Sequence, residues 1–309
     1  MRDSPLPAPA ALPTTTPPHV VLVSAGPATV LVTSDTPAVT DWITQYFGCW
    51  WTVRPTTSAA DTSGPVLHCR VDPDRFATAQ DSLNTQPHRI IEFARNPLHV
   101  ADNTDNTVCA VDPAEQVAYE TDTGRTRLTL TATRSLGLCL AAARITRELI
   151  RAQLEADGWA IMHASAAVRD NDATLALGPK GAGKTTTALL LTTQGHQLLA
   201  NDRVFLHPTT RALLPWPATA TALIFPRLDA SSRTVTTSDF FDPGHDDRYP
   251  DFLRLTRITP DHRHQIWART RDALATVPHY SIVLTHDTTR SRELLATQAM
   301  VGKVGLETS

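Results

Sequence analysis

The segment that decides the fold reads GPKGAGKT and spans residues 178–185. It fits the phosphate-binding loop pattern G-x-x-x-x-G-K-[ST] at every fixed position. An apolar run at residues 174–177 precedes it and a helix-compatible run at 185–191 follows, which is the strand, loop and helix order that such a loop requires. The residues predicted to bind phosphate are Gly178, Pro179, Lys180, Gly181, Ala182, Gly183, Lys184, Thr185 and Thr186.

The residue types of this segment suit a triphosphate. Small residues let successive backbone N–H groups turn toward phosphate oxygens, and the helix dipole adds positive potential at the same place. Lys184 is expected to reach the β- and γ-phosphates as a point charge, and the Thr185 hydroxyl to ligate Mg²⁺. The segment therefore predicts a site for ATP and Mg²⁺. The plainer interpretation is a turn before a helix, with a lysine in a first turn where the dipole disfavours cations.

The composition is that of a globular protein and gives no support to a polyanionic partner. Of 309 residues, 41% are hydrophobic and 19% are charged, and the formal net charge is -3. Because there is no basic surplus, no nucleic-acid partner is expected. Residues 1–20 lack the apolar core of a secretory signal, and no apolar run is long enough to span a membrane, so no membrane partner is expected either.

The cysteines and lysines carry two smaller signals. Cys49, Cys69, Cys109 and Cys139 form no C-x-x-C pair and have no histidine at zinc-finger spacing, so reduced thiols in a cytoplasmic protein are expected. Lysine is rare whereas arginine, alanine and threonine are abundant, which is typical of a GC-rich bacterial genome. Against that background, two lysines fall within the loop.

The N-terminal half predicts a small, strand-rich α+β domain over residues 19–134. Residues 1–18 are rich in proline and threonine and predict a disordered leader. Two β-branched runs around Ala25-Gly26-Pro27 indicate a hairpin, and Asp35 or Thr36 is expected to cap a helix that ends near Gly48. Further strands are predicted at residues 65–71, 89–94, 107–111, 117–121 and 127–131.

The remainder of the chain predicts a connecting helix and an α/β domain. Residues 135–157 carry an apolar stripe at helical spacing, with Ser135 as N-cap and Gly158 at the stop. Residues 158–309 are expected to form the phosphate-binding domain. Its predicted strands are 161–168, 173–177, 197–200, 204–206 and 281–285, and its predicted helices are 184–194, ended by Gly195, and 290–300.

Two further stretches stand at fixed distances from the loop. His163 lies on the strand before it and precedes Lys184 by 21 residues. After the loop helix the chain reads GHQLLANDRV at residues 195–204. This order resembles the catalytic domain of the HPr kinase/phosphorylase family, which has Gly-His, an apolar pair and then Ala-Asp-Asp-Arg-Val at that place. The resemblance covers residues 158–206, and enzymes of the phosphoenolpyruvate carboxykinase type share the same nucleotide-binding core.

The resemblance implies an α/β P-loop kinase of the HPr kinase/phosphoenolpyruvate carboxykinase type, acting on a hydroxyl of a protein, peptide or small molecule. It implies catalytic roles for His163, Lys184, Asn201 and Asp202, with Thr185 and Asp202 serving the metal. The family commonly assembles into closed rings, so the resemblance also implies a homo-oligomer. The family's later glycine-rich signature with its Glu-Arg pair is not found here, which leaves phosphorylase activity unsupported.

One departure from the family pattern matters for the chemistry. The first aspartate of the family's Asp-Asp pair matches Asn201, and an amide cannot accept a proton in this range. Either Asp202 takes the proton-handling role, or His163 does, or catalysis relies on positioning and electrostatics. Plainer interpretations are a turn aspartate for Asp202 and a satisfied core histidine for His163.

Other polar clusters have weaker functional interpretations. The stretches at residues 245–248 and 261–264 contain histidine and aspartate, but solvated loops are favoured over metal sites there. The pair Trp50-Trp51 is interpreted as packing between N-terminal elements. One of several arginines is expected to stabilise γ-phosphate charge, and the sequence does not say which. The candidates are Arg227, Arg233, Arg248, Arg254 and Arg257.

Two function classes follow. The first is an ATP-dependent kinase, and the second is a nucleotide-binding regulator or peptide-carrier protein that has lost chemistry with its first aspartate. Asn201 is the feature that separates them. A GTPase or an ABC-type ATPase is disfavoured, because neither an N-K-x-D motif nor an ABC signature occurs.

Overall fold

The computed structural model describes residues 19–56, 64–103, 105–124, 126–214, 218–228, 252–255, 258–285 and 287–304, with side chains up to residue 297. Within these ranges the chain forms two mixed β-sheets and six helices. The predicted leader at residues 1–18 lies outside the described residues.

The first sheet is built from the N-terminal half of the chain. Its strands are β1 (His19–Ala25), β2 (Ala28–Ser34), β3 (Thr52–Pro55), β4 (Val66–Val71), β5 (Arg89–Phe93), β6 (Asn96–Asp102), β7 (Val108–Asp112), β8 (Val117–Thr121) and β9 (Arg127–Ala132). Their spatial order is β3-β1-β2-β4-β9-β8-β7-β6-β5. The β2–β4 and β4–β9 pairs are parallel and the others are antiparallel.

Three helices cover the two faces of this sheet. Helix α1 (Pro37–Phe47) and helix α3 (Ser135–Ala156) share one buried cluster with β1, β2, β4 and β9. Helix α2 (Pro73–Thr85) packs against the opposite face, where Ala118 of β8 points away from its neighbours Val117 and Tyr119. Each large apolar side chain buried in this way contributes roughly 1.5–3 kcal/mol.

The second sheet is built from the C-terminal half. Its strands are β10 (Ala160–Met162), β11 (Ser165–Arg169), β12 (Asp172–Ala176), β13 (Gln197–Ala200), β14 (Val204–Leu206), β15 (Ala212–Leu214), β16 (Ala218–Arg227) and β17 (His279–Val283). Their order is β10-β14-β15-β16-β12-β11-β13, and β17 also pairs with β16. Helices α4 (Lys184–Thr192) and α6 (Thr288–Val304) pack on one face, and α5 (Pro260–Ala275) packs on the other.

The two sheets share a continuous core. The turn between β1 and β2 fits closely against the second sheet, because a Cβ placed on Gly26 would lie 2.9 Å from Leu214 Cδ1. Phe252 packs edge-on against Phe93 and Tyr119 of the first sheet, with ring centroids 4.8 and 5.7 Å away. The C-terminal half therefore extends onto the N-terminal sheet.

Three sequence predictions are wrong. Residues 161–168 form two strands and not one, because the backbone turns at His163, where Ala164 N donates a hydrogen bond to Met162 O. Before this turn β10 pairs with β14, and after it β11 pairs with β12 and β13. Ser135 is the first residue of α3 and not its N-cap, since Leu138 N already donates to Arg134 O. Residues 261–264 are not a solvated loop but the first turn of α5, which Thr259 caps through its hydroxyl.

Several other predictions are confirmed. The hairpin around Gly26, the helix over most of residues 135–157 and the helix that begins at Lys184 all form. The packing role predicted for the pair Trp50-Trp51 is confirmed for Trp51, which stacks on Phe47 with ring centroids 4.5 Å apart, whereas Trp50 is exposed. Helix α2, strands β3, β6, β15 and β16, and helix α5 were not predicted.

Candidate active site

The predicted phosphate-binding loop joins β12 to α4 and holds three glycines at positive φ. Their φ angles are +152° at Gly178, +84° at Gly181 and +102° at Gly183, a region that other residues rarely adopt. Gly183 is the N-cap of α4, and its carbonyl accepts a hydrogen bond from Thr187 N at 2.8 Å. The loop thus turns directly into a helix N-terminus, where backbone N–H groups are available to an anion.

Lys184 is the first residue of α4 and its side chain points back into the loop. The residue is only 8% exposed. Its Nζ donates to the carbonyl oxygens of Gly178 at 2.8 Å and Pro179 at 3.0 Å. Because a buried ammonium group is tolerated only with acceptors of this kind, the loop backbone holds the charge in place. The loop therefore encloses a cation at a helix N-terminus.

The rim of the loop is open to solvent. Lys180, Thr185 and Thr186 are exposed, and a Cβ placed on Gly181 would meet no atom within 4 Å. The first turn of α4 contains no acidic residue that would occupy its N–H groups. Hydroxyl groups, uncapped N–H groups and cations lie together here, which is the chemistry that binds a phosphate with Mg²⁺.

The strand register brings the other predicted site residues to the same edge of the second sheet. β11 runs antiparallel to both β12 and β13, so β12 and β13 end at one edge. Ser165 pairs with Ala176, and His163 therefore lies level with the start of the loop. Asn201 and Asp202 directly follow β13 and are exposed.

His163 and Asp202 form a contact pair. The Nδ1 atom of His163 lies 3.1 Å from the backbone O of Asp202 and 3.0 Å from its Oδ1. Both of these oxygens are acceptors, so Nδ1 is the donor to Asp202. The hydrogen bond from His163 lowers the pKa of the Asp202 carboxyl below its usual value, with further lowering by the charges of Arg203 and Arg147. Asp202 is therefore an ionised carboxylate at neutral pH.

Two of the five candidate arginines lie in the described part of the chain. Arg227 ends β16 beside the loop, since the preceding carbonyl lies 3.8 Å from a Cβ placed on Gly178. Arg254 lies instead on the first sheet, with Nη2 3.1 Å from Asp102 Oδ1. The other three, Arg233, Arg248 and Arg257, are outside the described residues.

The structure gives no support to the alternative metal sites. Residues 245–248 are outside the described ranges, and within those ranges no group of three or more His, Cys, Asp or Glu side chains is placed to hold a metal. Thr185 with one carboxylate does not need such a group, because Mg²⁺ at phosphate sites takes few protein ligands and completes its shell with phosphate oxygens and water. The Thr185 hydroxyl and the Asp202 carboxylate are ligands of the chemical type that such an ion takes.

Three polar residues at this edge of the sheet were not identified as site residues from the sequence. Ser165 is fully buried and its Oγ donates to the backbone O of Asn201 at 2.7 Å. Arg203 donates from Nη1 to Glu148 Oε1 at 3.2 Å, so α3 contacts the segment that carries Asp202. Glu148 is 55 residues away in sequence, and no local pattern marks it.

Comparisons with known proteins add nothing to these observations, because no protein-family model and no curated protein matches the chain. Within the described ranges, none of the helices combines the length and apolar character needed to cross a bilayer.

The close packing of Gly183 gives a first prediction. A Cβ placed there would lie 2.7 Å from Leu284 Cδ1 and 3.2 Å from Leu228 Cδ2, whereas a Cβ on Gly195 would meet nothing within 4 Å. Both glycines have positive φ, so alanine carries a similar backbone strain at each. We expect Gly183→Ala to lower the free energy of unfolding by about 1 kcal/mol or more beyond Gly195→Ala, as overpacking does. Urea denaturation of both variants measures the difference, and equal losses would contradict the packing.

Proposed function

We propose that this chain is an ATP-dependent phosphotransferase that moves the γ-phosphate of Mg-ATP to a hydroxyl group of a protein, peptide or small molecule. The observation that carries the proposal is the Lys184 ammonium enclosed by the loop at the start of α4. Phosphoryl transfer depends mainly on aligning the reacting groups and on neutralising the charge of the phosphate oxygens. A positive charge already held in place among backbone N–H donors is therefore the feature that matters most for this reaction.

The other residues of this sheet edge have roles that suit the same reaction. Thr185 and Asp202 would hold Mg²⁺, which when bound neutralises charge on the β- and γ-phosphates. His163, with its Nδ1 hydrogen-bonded to Asp202, presents Nε2 as the acceptor for the proton of the attacking hydroxyl. Position 201 then needs no carboxylate, because the His163–Asp202 pair accepts the proton.

Two observations bear on the setting of the reaction. The four cysteines are free thiols, which supports a reducing, cytoplasmic location. The formal net charge of -3 supports a protein, peptide or small-molecule acceptor over a nucleic acid.

The direct test is a discontinuous assay of ADP release and acceptor phosphorylation with Mg-ATP and a panel of hydroxyl-bearing peptides and small molecules. Turnover in the wild type is the expected result. Nucleotide binding with neither phosphate transfer to any acceptor nor hydrolysis of ATP would contradict the kinase proposal.

A second candidate is a nucleotide-binding regulator or peptide carrier with weakened chemistry, and the exposed Asn201 amide favours it. The variant Asn201→Asp separates the two. Under the kinase proposal the wild type already turns over, and the variant changes the rate by less than about tenfold, since His163 and Asp202 handle the proton. Under the second candidate the wild type binds Mg-ATP without turnover and the variant gains activity. Single-turnover measurements on both proteins distinguish these outcomes.

A further inference from the structure

We propose that Glu148 of α3 is a positioning residue, which fixes the segment formed by Asn201, Asp202 and Arg203 in the candidate site by binding the Arg203 guanidinium. The inference rests on the proposed function for its catalytic consequence. The anchoring itself depends only on contacts within the described residues.

Each residue of this short segment is held by a different contact. The Asn201 carbonyl accepts from Ser165 Oγ at 2.7 Å. The Asp202 carbonyl accepts from His163 Nδ1 at 3.1 Å. The first contact comes from the first residue of β11 and the second from the turn between β10 and β11, both within the same sheet. The third contact, from Arg203 Nη1 to Glu148, comes from another element altogether.

Glu148 is built into a buried ion-pair group on α3. Its side chain is 14% exposed, and its Oε2 accepts from Arg151 Nε at 2.6 Å. Arg147 Nε lies 3.6 Å from Oε1. Burial acts to raise the pKa of Glu148, but attraction to Arg151, Arg203 and Arg147 outweighs it and holds that pKa below the usual value. A largely buried, ionised glutamate with this many cationic neighbours holds Arg203 in one position.

Arg203 also faces the carboxylate that the reaction needs. Its Nε lies 3.9 Å from Asp202 Oδ2, whereas the other oxygen of Asp202 contacts His163. With Glu148 in place the guanidinium is shared between two carboxylates. Without that charge, Arg203 is drawn toward Asp202 and turns it away from His163. Residues 178–185 are not part of this group, so we expect nucleotide affinity to change far less than turnover.

The test compares Glu148→Gln with the matched control Glu115→Gln. Glu115 makes a bidentate ion pair with Arg144 of α3, with N–O distances of 2.9 and 3.0 Å. It shares no residue with the ion-pair group of Glu148. Hydrogen exchange of the peptide spanning residues 199–204 is measured in each variant, with Mg-ATP turnover and its dependence on nucleotide concentration. We expect faster exchange and a roughly tenfold or greater loss of kcat in Glu148→Gln alone, with a much smaller change in KM for Mg-ATP.

A double variant tests whether Glu148 acts through Arg203. If it does, Glu148→Gln combined with Arg203→Gln loses no more kcat than Arg203→Gln alone. Fully additive losses would overturn the proposal, as would unchanged exchange in Glu148→Gln or faster exchange with unchanged kcat. If the wild type turns over no nucleotide, the proposed function fails, and the exchange comparison alone upholds or overturns the anchoring.

Discussion

Replacing Lys184 with alanine is expected to weaken Mg-ATP binding about thirtyfold or more and to abolish turnover. Truncating one partner of a buried, hydrogen-bonded charge costs about 2–5 kcal/mol, and here the lost group is the cation enclosed by the loop. The substitution also leaves the carbonyls of Gly178 and Pro179 without their ammonium donor. Equilibrium titration with a fluorescent ATP analogue measures the first effect, and ADP release measures the second.

Lys180 provides the matched control for this variant. It carries the same charge in the same loop but is exposed to solvent. We expect Lys180→Ala to change affinity by less than about tenfold, because an exposed charge contributes about 1 kcal/mol or less. Equal effects of the two substitutions would show that only the net charge of the loop matters and would contradict the assignment of Lys184.

Replacing Asp202 with asparagine is expected to lower turnover about a hundredfold or more, with a much smaller effect on nucleotide affinity. Positioned acid–base groups contribute on this scale, whereas most phosphate contacts come from the loop. The variant removes the ionised carboxylate beside His163 and one predicted Mg²⁺ ligand. Steady-state kinetics at several Mg²⁺ concentrations measures the loss and its metal dependence.

Asp170 is the control for Asp202. It lies in the turn between β11 and β12, at the opposite edge of the same sheet, and its side chain is 83% exposed. Asp170→Asn should leave turnover unchanged.

Because the His163 hydrogen bond keeps the Asp202 pKa below its usual value, Asp202 stays ionised at neutral pH. A retained rate in Asp202→Asn would remove this residue from the mechanism.

The strand, loop and helix order around residues 178–185 could be predicted because its sequence signals are local. The glycines, the lysine and the following helix lie within one short stretch, and their spacing determines the backbone path. Helix α3 could also be predicted, because Leu138, Ile145 and Leu149 repeat at helical spacing, and all three are buried in the structure.

Elements with weak periodicity escaped prediction. Helix α2 buries only Phe76, Ala79 and Leu83, so its apolar signal is thin. The strand predicted at residues 161–168 looked continuous because its apolar residues do not reveal a change of pairing partner. The turn that divides it is what places His163 beside Asp202.

The support of the candidate site could not be predicted from sequence. Glu148 is one of several charged residues on α3, and only the folded chain brings it to Arg203. Ser165 likewise gains its contact with Asn201 through the pairing of β11 with β13. Long-range polar contacts of this kind depend on the topology of the sheet, which a single sequence does not contain.

The most direct test of the central claim is calorimetric titration of the intact chain with Mg-ATP. The enclosed Lys184 ammonium and the open helix N-terminus predict saturable binding at one site per chain. We expect Lys180→Ala to retain this binding and Lys184→Ala to weaken it about thirtyfold or more. Absence of binding in the wild type, or binding that Lys184→Ala leaves intact, would contradict a triphosphate site at residues 178–185.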